Sequence, residues 1–290
     1  MTPTAASPSG DDAVGRLVVC PTPIGNLEDV TLRVLDTLRR ADVVACEDTR
    51  HTRLLLDRHG ISAPLVSFHE HNERARADEL LARIRDGALV ALVSDAGTPL
   101  VSDPGFGLVR ECIAAGLALE VLPGPSAALT ALVASGLPSE RWRFVGFLPR
   151  ARAKLLEIVL AADETLVAFE SPRRLAGTLE LLAEREPARA LAVCRELTKL
   201  HEEVRRGPAA ELAAHYRERQ ARGEVVLVIG PAATRGADGE RMQDALASLR
   251  ALVAAGARPR AAATEVGRLT DVSANALYAE LLRQRSTPTQ

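Results

Sequence analysis

The sequence predicts an α/β protein of two α/β domains followed by a small helical appendage. Short β-branched runs alternate with longer helical patterns through most of the chain, the mark of parallel strands covered by helices. A length of 290 residues with 47% apolar side chains supplies two hydrophobic cores. The last fifty residues carry helical periodicity and no strand pattern.

In order, Arg16 to Cys20 reads as the first strand, followed by a turn from Pro21 to Asn26 and a helix from Thr31 to Arg40. Val43 to Cys46 is a second strand, and its helix runs through Leu54, Leu55 and Leu56 to a stop near Gly60. Pro64 to Phe68 is a third strand, with Asn72 as the expected cap of a helix reaching Arg85. Leu89 to Val93 and Ala118 to Leu122 are strands four and five, separated by a helix from Phe106 to Ala115. A helix opening at Ser126 places the domain boundary at 125/126, so the first domain spans 16–125 and the second 126–230.

The second domain is predicted to hold strands at Arg143 to Gly146, Thr165 to Phe169, Ala190 to Arg195, Glu203 to Arg206 and Glu224 to Ile229. Hairpin connections among them predict a mixed sheet. Helices are expected from Lys154 to Ala161, after Ser171, and from Pro208 to Ala221. Residues 231–239 have linker composition, and residues 1–15 read as a disordered tail without a targeting pattern. Pro259 to Leu269 and Ser273 to Arg283 form a helix-turn-helix-like pair within 240–290, with Asn275, Tyr278 and Arg283 on the polar face of its second helix. That pair reads either as a nucleic-acid reader or as a packed bundle.

The balance of 36 basic and 38 acidic residues excludes a whole-chain basic field, so any nucleic-acid contact must be local. Nearly all the cations are arginine, which suits bidentate phosphate contacts but follows equally from a genome of high GC content. Cys20, Cys46, Cys112 and Cys194 show no disulfide or zinc spacing and read as small buried residues of a reducing compartment. No apolar run approaches the roughly 20 residues of a bilayer span, so a soluble protein is expected.

Chemistry concentrates where strands end. The turn Cys20 to Asn26 replaces two glycines of a dinucleotide fingerprint with prolines, and each proline removes a backbone N–H that a pyrophosphate would need. The segment Val93 to Gly105 packs Asp95 and Asp103 among glycines and prolines. These aspartates read either as ligand-holding carboxylates or as Asx turns. Ser126, opening a helix after Pro123-Gly124-Pro125, is a helix cap, a ligand wall or both. Glu47, Asp48, Arg50 and His51 follow strand two, and His69 to Asn72 follow strand three, on the same rim. No metal is expected, because the histidine spacings fit no zinc arrangement.

The blocks PTPIGNLEDVTLR, CEDTRHT, HEHN, SDAGTPLVSDPG, LPGPSA, GFLPR, ESPRR and RELTK occur in that order from Pro21 to Lys199. Together they resemble the ribosomal RNA small subunit methyltransferase I family, the 16S rRNA cytidine 2′-O-methyltransferases of the tetrapyrrole-methylase (class III) fold. The resemblance implies two α/β domains with S-adenosylmethionine in the cleft between them, a cytoplasmic homodimer, and 16S rRNA within the 30S subunit as substrate. It implies cofactor contacts at Pro23, Ile24, Asp95, Ala96, Gly97, Thr98, Val101, Ser126, Ala127, Leu197 and Val225. A ribose hydroxyl is barely ionised at neutral pH and calls for a base; the candidates are Glu47, Asp48, His51 and Asp103, with Glu170 behind them. Arg50, His69, Asn72, Glu170 and Arg173 are expected to meet RNA. The chain reads Gly-Thr-Pro where tetrapyrrole relatives have Gly-Asp-Pro, so that aspartate's contact does not carry over. The rival readings are a C-methyltransferase of porphyrin or corrin precursors, and a DNA-binding regulator using its C-terminal helices.

Overall fold

The computed structural model describes residues 15–232, 237–270 and 272–285. The expected tail up to residue 14, part of the linker and the turn residue Asp271 lie outside them. Two five-stranded sheets carry the first 230 residues.

The first sheet has the order β3-β2-β4-β1-β5, all parallel: β1 (Arg16–Val19), β2 (Val43–Cys46), β3 (Leu65–Ser67), β4 (Leu89–Leu92) and β5 (Ala118–Val121). Its central strands are buried on both faces, which is why they read as unbroken apolar runs and not as alternating ones. One face packs on α1 (Leu32–Arg40) and α2 (Thr49–Arg58) through Val34, Leu35, Leu38 and Leu56. The other packs on α3 (Glu73–Arg85) and α4 (Phe106–Ala114) through Leu80, Leu81, Ile84 and Leu108. Parallel strands bring every carboxyl end to one rim, where the loops after β1, β2, β3, β4 and β5 gather.

After β5 the chain enters α5 (Ala127–Ser135) and passes to the second sheet, order β6-β7-β10-β8-β9. Its strands are β6 (Trp142–Phe147), β7 (Thr165–Glu170), β8 (Ala190–Arg195), β9 (Glu203–Pro208) and β10 (Val225–Ile229). The sheet is mixed: β6 and β7 are parallel, and the remaining pairs are antiparallel. On one face α6 (Arg152–Leu160), α7 (Pro172–Arg185) and α8 (Ala209–Glu218) bury leucines and Tyr216. The other face is covered by α5 and by two loop residues, Ile24 and Leu197.

Burying Ile24, from the first sheet's opening turn, in the second sheet's core has a consequence for domain organisation. The chain divides into two compact units at Gly230/Pro231, and both sheets lie in the first. The second unit is a three-helix bundle of α9 (Ala237–Ala254), α10 (Pro259–Thr270) and α11 (Ala274–Arg285), closed around Leu246, Leu249, Val266, Leu277 and Leu281. Tyr278 is half-buried against this core beneath Arg260 (5.8 Å to the ring centre), whereas Asn275 and Arg283 are exposed on the polar face. All four cysteines are buried and unbonded. Among the described residues no helix is long and apolar enough to cross a membrane.

Candidate active site

Four loops interlock at the rim. The turn after β1 pairs with the loop after β4 as a two-residue ladder, in which Thr22 N donates to Gly97 O at 2.8 Å and Gly97 N to Thr22 O at 3.0 Å. Thr22 Oγ1 also donates to Ser94 O (3.0 Å). Thr98 Oγ1 donates to Pro125 O (3.1 Å), joining that loop to the turn before α5. Asn26 N donates to Thr198 Oγ1 (3.0 Å) in the loop after β8. Gly25 fits this crossing only because it lacks a side chain: a Cβ there would lie 2.5 Å from Lys199 Cγ. Leu100, Ser102, Glu196 and Thr198 all have positive φ, a concentration of strained non-glycine backbone characteristic of functional loops.

These loops and the free end of the second sheet enclose a cavity of about 440 Å³. Of the residues the resemblance assigned to the cofactor, Ile24, Ala96, Gly97, Thr98, Val101, Ser126, Ala127, Leu197 and Val225 line it. Pro23 and Asp95 do not; Asp95 instead accepts a hydrogen bond from Asp48 N (3.0 Å). Phe147, Phe169, Pro172 and Cys194 add walls that sequence reasoning did not name. Among the described residues no arginine or lysine lines the cavity to neutralise a phosphate.

The carboxylates differ sharply in what already holds them. Glu170 is 3% exposed, and its oxygens accept from Ser171 N (2.6 Å), Thr178 Oγ1 (2.7 Å) and Arg174 Nη2 (3.2 Å). It is a buried brace between β7 and α7, not a surface for RNA. Glu196 Oε1 takes Glu224 N (2.8 Å) and Lys199 Nζ (3.2 Å), and Lys199 also holds Glu224 (3.1 Å). Asp48 caps α2 by accepting from Arg50 N (2.8 Å) and forms a two-pronged pair with the Arg50 guanidinium. Those side-chain and backbone bonds hold its carboxyl well below the usual range. Ser126 similarly caps α5 through Leu129 N (3.5 Å) while lining the cavity, so both of its readings apply.

Asp103 alone among the cavity's carboxylates has no cation partner among the described residues. Burial, and less strongly the charges of Glu47 and Asp95, push its carboxyl up to about 6 against the hydrogen bond from Ser94. Glu47, outside the cavity lining, is also raised, first by burial and then by Asp95. His51 is exposed on α2. Asn72 does not cap α3 with its side chain: Oδ1 accepts from His69 N (2.8 Å), and Nδ2 donates to Ser67 O (3.1 Å) and faces His69 Nε2 (3.3 Å). His69 Nδ1 is left buried without a partner. Arg173 is exposed at the start of α7. Among the described residues no group of three or more His, Cys, Asp or Glu is arranged to hold a metal ion.

The family model for Tetrapyrrole (Corrin/Porphyrin) Methylases matches residues 16–213. A Ribosomal RNA small subunit methyltransferase I of Mesorhizobium japonicum is 46% identical over 276 residues, covering 93% of this chain and 92% of its own length. This chain belongs to that methyltransferase family. A second member, from Thermotoga maritima, is 44% identical over 218 residues, which are 74% of this chain and 98% of the relative. Among solved structures, the fold resembles uroporphyrin-III-C-methyltransferase of Thermus thermophilus (28% identity, TM-score 0.56, covering 74% of this chain and 94% of that one). It also resembles a Thermus uroporphyrin-III C-methyl transferase complexed with S-adenyl homocysteine (21%, TM-score 0.53, 74% and 97%). Family membership makes the cavity the candidate seat of methyl transfer.

Proposed function

We infer that this chain is a methyltransferase that uses S-adenosylmethionine to methylate the 2′-hydroxyl of a cytidine ribose in the decoding region of 16S rRNA. The observation that carries this reading is the cavity itself. Among the described residues its lining is mainly apolar side chains and main chain, with no cation and with one carboxylate, Asp103, free of a cation partner. That donor set fits a cationic methionine-nucleoside and disfavours a nucleotide cofactor. Ile24, the Ala96 to Thr98 main chain, Val101, Ser126, Ala127, Leu197 and Val225 would hold it, with Pro23 and Asp95 supporting these loops from behind. When bound, the cofactor supplies an electrophilic sulfonium methyl group.

The chain's own residues supply orientation and proton removal. Interlocked loops fix the walls so that the attacking oxygen is held in line, the largest contribution such a site can make. Asp103 accepts the 2′-hydroxyl proton, because it reaches the cavity and no cation competes for it. Burial raises its basicity, and the charge of Glu47 adds to it. Asp48, pinned by Arg50, serves as the cap of α2. We place the enzyme in the cytoplasm as a homodimer acting on the 30S subunit.

The test is to incubate the protein and methyl-labelled cofactor with 30S subunits, or with naked rRNA, from a strain lacking the activity, and to digest the product to nucleosides. Label is expected on 2′-O-methylcytidine. Label in a base, in protein or in an added porphyrin overturns the ribose assignment, the last favouring a tetrapyrrole substrate.

A further inference from the structure

The second sheet ends in an arrangement that the cofactor cavity does not require. Between Phe144, paired with Val167, and Phe147, paired with Phe169, strand β6 carries one residue more than β7. This β-bulge is built on Gly146, whose φ of 64° suits glycine. Strict alternation would send Phe147 to the face of Val145, into the leucine core under α6 and α7. The extra residue turns it to the face of Phe144 and Phe169, where it lines the cavity and stays 64% exposed.

Its ring is nevertheless held. Phe147 meets Phe169 edge to face (5.5 Å between centres), and Phe169 meets Phe144 in the same way (5.0 Å). The chain has only five phenylalanines, and three of them build this stack. Exposing the outermost ring forfeits burial that a regular strand would have provided.

Four exposed cations lie on the segments that follow the ring's own strand and its partner strand. Arg150, Arg152 and Lys154 follow Phe147 along the loop into α6, and Arg173 opens α7. Arg174 ties the two segments by donating to Leu148 O (2.9 Å) and Pro149 O (3.0 Å). All four cations are exposed, and none forms an ion pair among the described residues, whereas neighbouring Arg141, Arg143 and Arg174 are paired with acids. The second sheet's cavity carboxylates, Glu170, Glu196 and Glu224, are paired with Arg174 or Lys199, whereas Asp103 on the first-sheet side has no cation partner among the described residues. The unpaired cations beside β6 and α7 attract phosphate, and the unpaired Asp103 repels it.

We propose that Phe147 is the stacking platform for an unstacked pyrimidine of the RNA substrate, and that Arg150, Arg152, Lys154 and Arg173 hold the flanking phosphates. A single-stranded nucleotide offers a π-face and a charged backbone together, and an exposed, braced aromatic within a basic rim answers both. This rests on the ribose-methylation reading: the base lies on Phe147 at the mouth while its ribose faces Asp103. Arg50, Asn72 and Glu170, engaged by their neighbours, give way to this rim as the principal RNA contact.

The experiment uses the full-length protein and 30S subunits, with methyl-labelled S-adenosylmethionine for turnover and S-adenosylhomocysteine for binding. In Phe147→Ala the KM for 30S subunits rises roughly tenfold or more, the scale of one lost base–aromatic stack. The dissociation constant of S-adenosylhomocysteine, measured by calorimetry, stays unchanged, and Phe147→Tyr restores KM. The triple variant Arg150→Gln/Arg152→Gln/Arg173→Gln lowers the slope of log affinity against log salt by about 2, at ~0.7 per single-strand phosphate contact. An unchanged KM in Phe147→Ala overturns the proposal, as does an equal loss of S-adenosylhomocysteine affinity, which would make Phe147 a cofactor wall only. An unchanged salt slope removes the phosphate contacts. If the wild-type product carried its label elsewhere than the ribose, the ribose reading would fail, while these affinity measurements would still decide the platform.

Discussion

Asp103 and Glu170 show how far a carboxylate's role depends on its partners. Both line the cavity, yet Glu170 is consumed by three donors and Asp103 is not. Burial pushes the Asp103 carboxyl up to about 6, so its proton-accepting form accumulates only above that pH. The expected profile of kcat/KM rises with pH and levels above about 6. Removing the neighbouring charge in Glu47→Gln lowers the Asp103 value and moves the acid limb to lower pH. A limb that stays put excludes Glu47 as the group that sets it. Asp103→Asn is expected to cut kcat by ~10²–10⁴ with cofactor affinity retained by calorimetry; comparable turnover would exclude it as the base. Gly25→Ala places a Cβ against Lys199 and Thr198. It is expected to lower the thermal midpoint and to weaken S-adenosylhomocysteine binding together, because the same crossing shapes the wall.

At the scale of elements, the caps divide into local and distant. Thr31, Asp48 and Ser126 cap their own helices and are legible as such, since each lies at the boundary where periodicity begins. The cap of α4 is not: Glu73, on α3, accepts from Gly105 N (3.2 Å) and Gly107 N (3.1 Å). Nothing near Gly105 in the sequence points to a carboxylate more than thirty residues earlier. Glu73→Ala is expected to cost ~1 kcal/mol, the usual scale of a lost helix cap, read by urea unfolding. The bulge in β6 is likewise a tertiary fact. Arg143 to Gly146 reads as an ordinary short strand, and its extra residue shows only against β7. Gly146→Ala, forced into a left-handed backbone, is expected to cost ~1–2 kcal/mol and to raise the KM for 30S subunits along with it. A stability loss with normal KM would separate the bulge from RNA binding.

For the whole molecule, the two α/β halves and the C-terminal bundle differ in how they depend on one another. The halves share Ile24 and Leu197 in one core and exchange loop hydrogen bonds, so they form one compact unit, whereas Pro231–Gln290 forms another with its own core. The second unit thus carries a core that shares no residue with the cores of the two sheets. Ending the chain after Ala232 is therefore expected to leave S-adenosylhomocysteine affinity intact. Loss of that affinity in a folded truncation would show that the bundle supports the cavity.

The sequence by itself determined the order and type of the elements, the parallel character of the first sheet and the mixed character of the second. Those features follow from local periodicity, turn residues and connection length. It also marked the turn from Cys20 to Asn26 and the Asp95 and Ser126 loops as neighbours, because parallel strands must deliver their ends to one rim. Tertiary structure decided which side chains stand free: Asp103 and Phe147 face the cavity, while Asp48, Asn72 and Glu170, the last within the cavity wall itself, are held by neighbouring groups. The choice rests on partners such as Arg174 and Thr178, and on a bulge defined only across two strands. Whether a side chain is satisfied depends on the groups folding brings beside it, and chain spacing does not encode them.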